Sequence, residues 1–165
     1  SGGDVRVERI EGLESLHPDE LSPDEHEQLA QAKENAEEER KEQTDIDILL
    51  DALSDKEDAP KIYDIEAWLE KYGTIHVSSV LGGKDIFIWR VLRRQEYSNM
   101  IKQGMMDNEI RAEDSVVRRC LLYPEAKQEF LTTAPAGFIS TLKEQIMYRS
   151  GFVPLQQAYS QIKIL

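Results

Sequence analysis

Cysteine is almost absent: Cys120 is the one thiol in 165 residues, so no internal disulfide can form, and a reducing compartment is compatible with that. It lies beside Val116, Val117, Leu121 and Leu122, where a small buried hydrophobe is the expected role. Histidine is scarce too. His17, His26 and His76 are scattered, no two at metal-ligand spacing, and without a second cysteine a zinc site is not expected. No run approaches the ~18 apolar residues that span a bilayer, and the acidic N-terminus does not resemble a signal peptide. The expectation is a soluble, intracellular protein that inserts into no membrane.

Motifs with a mechanism are missing as well. Gly82-Gly83-Lys84 lacks the upstream glycine and the following Ser or Thr of a phosphate loop, and it leads into a strand-like run rather than a helix. Asp45, Asp47 and Asp51 do not make a calcium loop, because Ile48, Leu49 and Leu50 occupy positions that would need oxygen ligands and a glycine turn. No Gly-x-Ser-x-Gly elbow occurs, and Ser150-Gly151 has the pattern of a helix end. Carboxylate pairs arise by chance in so acidic a chain. No catalytic residue, cofactor or metal site is therefore predicted, and a carboxylate-pair enzyme ranks last among the functional readings.

Charge is abundant and unevenly placed. Residues 1–61 hold 20 Asp and Glu against 7 Lys and Arg, a net of −13, whereas residues 62–165 hold 12 against 13, a net of +1. The pattern is an acidic arm joined to a balanced domain, with the boundary drawn at Pro60: residues 1–60 as an arm that is partly helical or disordered, residues 61–165 as a compact helix-hairpin-helices domain. Such an arm repels phosphate. The basic pairs Arg93-Arg94 and Arg118-Arg119 lack the interleaved aromatics of a single-strand binder, so direct nucleic-acid binding is not expected.

Within the arm, Ser22-Pro23-Asp24-Glu25 has an N-cap, a proline at the first helical position and a glutamate placed to close a capping box. A helix with little to bury follows. Its one adhesive face is the stripe Ile46, Leu49, Leu50 and Leu53, spaced i, i+3, i+4, i+7, which is the predicted partner-binding site; packing within the chain is the alternative. Further on, Ile65, Trp68, Leu69 and Tyr72 form a short helix stopped by Gly73. Two β-rich runs, Ile75 to Val80 and Ile86 to Val91, flank the Gly-Gly turn as a hairpin bulky on both faces and so covered on both sides. Helices are then predicted with Tyr97, Met100 and Ile101 inward; with Ile110, Val117, Cys120 and Leu121 inward, ending at Pro124; from a capping box at Thr141 and Glu144; and beyond Pro154, while residues 132–137 read as loop. The fold class is mainly α with one β-hairpin (α+β): an acidic helical N-terminal arm followed by a small helical domain.

An ordered set of signposts adds a family resemblance. Phe87-Ile88-Trp89-Arg90-Val91-Leu92-Arg93-Arg94-Gln95-Glu96-Tyr97, then Val117 through Leu122-Tyr123-Pro124-Glu125, then Ala136-Gly137-Phe138-Ile139-Ser140-Thr141-Leu142, then Ser150-Gly151-Phe152, resembles small tail-morphogenesis proteins of tailed bacteriophages. It covers residues 75–152, in short pieces. Arg93 stands where a Ser or Thr cap would be natural, and the acidic arm has no counterpart. The resemblance implies a non-enzymatic protein of tail or baseplate assembly, either a tail assembly chaperone or a hub-type virion component. Its partners would be other tail or baseplate proteins, and its place the host cytoplasm during assembly and, if retained, the virion tail. Tyr97 and Phe152 are then expected as core, Pro124 as a helix stop and Gly137 as a turn. The second reading is an acidic adaptor, or a nucleic-acid-mimicking inhibitor, whose arm occupies a basic groove of a partner.

Overall fold

The computed structural model describes residues 22–80 and 83–164. Its first element is dictated by the Ser22 signal. The Ser22 hydroxyl accepts from the Glu25 N–H at 3.2 Å and the Glu25 carboxylate accepts from the Ser22 N–H at 2.8 Å, which pairs two donors that a helix start otherwise leaves open. Helix α1, Pro23–Ala52, runs from that cap for 30 residues and buries only Ile46. With eleven carboxylates against three cations it holds a net of −8. The described chain divides between Ala52 and Leu53 into two units, so the second begins earlier than the predicted boundary at Pro60. The reason is packing: Leu53 is 1% exposed, Pro60 is buried, and the Tyr123 hydroxyl donates to Asp58 at 3.0 Å.

The C-terminal unit opens with α2, Ile62–Tyr72, where the Asp64 carboxylate accepts from the Lys61 N–H at 2.8 Å. Gly73 ends it at φ +78°, a conformation that costs glycine little. Strands β1, His76–Val80, and β2, Asp85–Trp89, then pair antiparallel from His76 opposite Trp89 to Val80 opposite Asp85. The Gly-Gly turn is used as expected at Gly83, which sits at φ +90°. Next come α3, Arg94–Lys102, and α4, Glu109–Cys120, the latter capped by the Asn108 side chain, which accepts from the Arg111 N–H at 2.8 Å. After α4 the chain departs from expectation. Leu121–Tyr123 is not helix but strand β3, antiparallel to β2, so the hairpin is part of a three-stranded sheet in the order β1-β2-β3. Pro124 follows a strand, not a helix.

Two short helices and one long one complete the chain: α5, Gln128–Thr133, α6, Ala136–Arg149, and α7, Leu155–Ser160. Helix α6 corrects two expectations. Of residues 132–137 only Ala134 and Pro135 lie outside helix, and Thr141 lies inside the helix rather than capping it. Pro135 presets the backbone at φ −52° ahead of the first turn, and Phe138, Ile139, Leu142 and Ile146 form the buried face. Gly137 accordingly belongs to a helix and not a turn.

Phe87 and Trp89 on one face of β2 pack with Val116, Val117 and Cys120 of α4 and with the buried face of α6, in a core completed by Leu92, Met100 and Leu121. Ile88, pointing the other way, is also fully buried, as are Ile65 and Leu53, so both faces of β2 are covered. Each such side chain contributes about 1.5–3 kcal/mol relative to exposure. Some predicted inward residues face water instead: Ile110 is 67% exposed and Ile101 about half. Phe152 is not core; its ring rests on half-buried Tyr97, centroids 4.8 Å apart, at the rim. Leu155, Tyr159 and Ile162 around α7 are exposed.

Candidate partner-binding surface and buried polar clusters

The predicted stripe is split by the structure. Ile46, Leu49 and Leu50 lie on α1, Ile46 buried and the two leucines half-buried, while Leu53 belongs to the interior of the C-terminal unit. The four do not form one presented face. A stripe at helical spacing marks an apolar face but not what will cover it. Among the large apolar side chains of α1, Ile48 is the exposed one, and eleven of the helix's 30 residues are carboxylates.

Three polar clusters in the C-terminal unit escaped sequence reasoning because each joins residues far apart in the chain. The largest sits where β2 gives way to α3. Arg90 is 9% exposed at its side chain and holds Glu96 with both terminal nitrogens, at 2.5 and 2.9 Å. Arg119 Nε donates to Glu96 Oε2 at 2.8 Å, and the Arg93 N–H donates to Oε1 at 3.1 Å. Glu96 thereby caps α3 where Arg93 cannot. The Arg90 guanidinium also lies over the Tyr72 ring at 4.9 Å, tying α2 to the same point, while its Nε is buried without a partner. Burial opposes ionisation of Glu96, but the hydrogen bonds from Arg90 and Arg93 and the charges of Arg90 and Arg119 outweigh it, holding the carboxyl at about 2. With four donors on two oxygens, this carboxylate has no lone pair placed for proton transfer. It is a lock between elements.

A second cluster lies on β1. Its inward positions are His76, Ser78 and Val80, so a polar set faces the sheet interior. The Trp89 indole N–H donates to Ser78 Oγ at 2.7 Å, and that hydroxyl donates to Gln145 Oε1 at 2.5 Å. His76 stacks on Trp89 with ring centroids 4.6 Å apart; burial, aided by the Arg149 charge, lowers its pKa. In the third, buried Glu113 of α4 accepts from the Ser140 hydroxyl of α6 at 2.9 Å.

None of these is arranged for catalysis. The Ser78 hydroxyl spends its proton on Gln145 rather than on a base. Burial pushes the Cys120 thiol up to about 12, which leaves it without a thiolate to attack with. Among the described residues no group of three or more His, Cys, Asp and Glu could hold a metal ion, and no helix is long and apolar enough to cross a membrane. No family model, curated protein or solved structure matches the chain.

Proposed function

We propose that the chain is a non-enzymatic morphogenesis protein of a bacteriophage tail or baseplate, acting through protein–protein contacts as an assembly chaperone or a retained hub component. The observation that carries this is the ordered signpost set over residues 75–152. Several of these residues have structural roles in the C-terminal unit. Leu92, Glu96 and Tyr97 join the core, the ion-pair lock and the Phe152 contact, and Tyr123 anchors the chain through Asp58. The reading predicts that the full chain, co-expressed with the tail-gene cluster of its phage, co-purifies with a tail or baseplate protein. A pull-down that returns none of them counts against it.

The acidic adaptor is retained as a second reading because of one observation, the net −8 of α1 on a surface that is almost wholly exposed. Replacing Glu37, Glu38, Glu39 and Glu42 by Gln separates the two. An adaptor loses its partner, whereas a tail component keeps contacts made by its C-terminal unit.

A further inference from the structure

The C-terminal unit has an open groove of about 580 Å³ between the segment before α2, α2 itself, β3 and α5. Trp68, Leu122 and Phe130 line it, each half-buried, so it has an apolar, partly aromatic floor. Four carboxylates also line it, those of Asp58, Asp64, Glu125 and Glu129, against one cation, Lys127. That cation lies 3.5 Å from Glu125 in a pair whose side chains are 68% and 79% exposed, too solvated to neutralise the site. The unit as a whole holds fifteen carboxylates and fifteen cations, so the groove concentrates negative charge that the rest of the unit does not show.

A second feature is independent of charge. Strand β3 is an edge of the sheet, and Leu122 sits between Leu121, paired with Trp89, and Tyr123, paired with Ile88, while having no partner of its own in β2. The ladder shifts register at this point, so Leu122 is the extra residue of a β-bulge, a device that blunts a short edge strand against further strand pairing. Leu122, Tyr123 and Pro124 line the groove, so this edge meets an incoming segment with side chains.

We propose that this groove binds a segment of a partner protein in which a lysine or arginine is flanked by apolar side chains. The segment sets its apolar groups against Trp68, Leu122 and Phe130, and places its cation among the four carboxylates, where the Trp68 ring face adds to the attraction. The charge rules out α1 of a second copy, itself at −8, as the occupant. The proposal rests on the reading of the chain as one that acts through protein contacts and names the chemistry of what it holds.

The test is amide and indole NMR on the labelled full chain, titrated with three terminally blocked peptides, Ser-Val-Lys-Val-Lys-Val-Ser and its Gln and Glu counterparts. The chain has two indoles. The lysine peptide is expected to shift the Trp68 indole and the Leu122 and Phe130 amides while leaving the buried Trp89 indole unmoved. The glutamine peptide should bind at least about fivefold more weakly, the glutamate peptide not at all, and raising salt from about 0.05 to about 0.5 M should weaken the lysine peptide. The double variant E125Q/E129Q alters two exposed rim residues and should lose about fivefold in affinity for the lysine peptide, an unmoved Trp89 indole confirming that it is folded. Equal shifts from all three peptides, shifts away from the groove, unchanged affinity in the double variant, or no shift at about 2 mM peptide would each overturn the proposal. Its failure is separable from that of the tail reading: peptide binding by a protein that captures no tail component upholds the groove alone.

Discussion

Substituting Glu96 by Gln perturbs the C-terminal unit at the point where α2, β2, α3 and α4 meet. The side chain keeps its shape but loses its charge, and its amide turns a donor toward donors of Arg90 and Arg119. Arg90, 9% exposed with its Nε already unpartnered, then becomes a buried cation without a counter-charge. Removing one member of a buried pair costs about 3–5 kcal/mol, and because Arg119 is open to water we expect about 2–4 kcal/mol here. For a unit of this size that lowers Tm by about 8–16 °C. Tryptophan fluorescence is the assay, since Trp68 and Trp89 both lie in the C-terminal unit and α1 contributes no signal. The pH dependence sharpens it. A carboxyl held at about 2 when folded is lower than its ordinary value near 4.5, so its contribution is complete above about 4.5 and is lost as pH falls toward 2. The stability gap between wild type and E96Q must therefore close over that interval. Arg90→Met should cost less than E96Q, because Glu96 retains Arg119 and the Arg93 N–H. A loss below about 1 kcal/mol in E96Q, or a gap that stays constant from neutral pH to pH 3, refutes the reasoning.

Three further outcomes follow from the packing. Leu142→Ala removes a fully buried side chain on α6 and should cost about 2–5 kcal/mol in urea unfolding; a cost under about 1 kcal/mol would mean the core is not packed as described. Cys120, fully buried with its thiol raised to about 12, should resist a thiol-specific chromogenic reagent in the native chain and react promptly in urea, and equal rates in the two states would contradict its placement. Ser22→Ala removes the acceptor for the Glu25 N–H, so exchange of that amide should quicken and the start of α1 should lose about 1 kcal/mol of local stability; unchanged exchange would show that the cap is not formed.

The parts of the fold that could be read directly were those specified by neighbouring residues. Ser22 and Glu25 are three residues apart, Gly83 sits inside the turn it makes possible, and Gly73 ends the helix whose apolar stripe precedes it. Strand β3 could not be read this way. Leu121-Leu122-Tyr123 continues the apolar run of α4, and only pairing with β2, more than thirty residues earlier, makes it a strand. Pro124 is compatible with either ending. The same distance hid the Glu96 lock, since Arg119 is 23 residues away, and the Trp89–Ser78–Gln145 chain, which spans 67. The early edge of the C-terminal unit depends on Asp58 meeting Tyr123, 65 residues on, while Ser54 and the residues after it read locally as a linker. As for the partner-binding stripe, its spacing was legible, but whether Ile46 and Leu53 would be presented or buried was not. The groove needed the third strand to exist before it could be seen at all.

The measurement closest to the central claim is affinity purification of the tagged full chain from phage-infected cells, with quantitative mass spectrometry of what accompanies it and of purified particles. The account predicts a tail or baseplate protein at a fixed ratio to the chain, together with either a constant low copy number of the chain in particles or its confinement to assembly intermediates. Recovery of a host protein with a basic surface and no tail component would contradict it and favour the acidic adaptor.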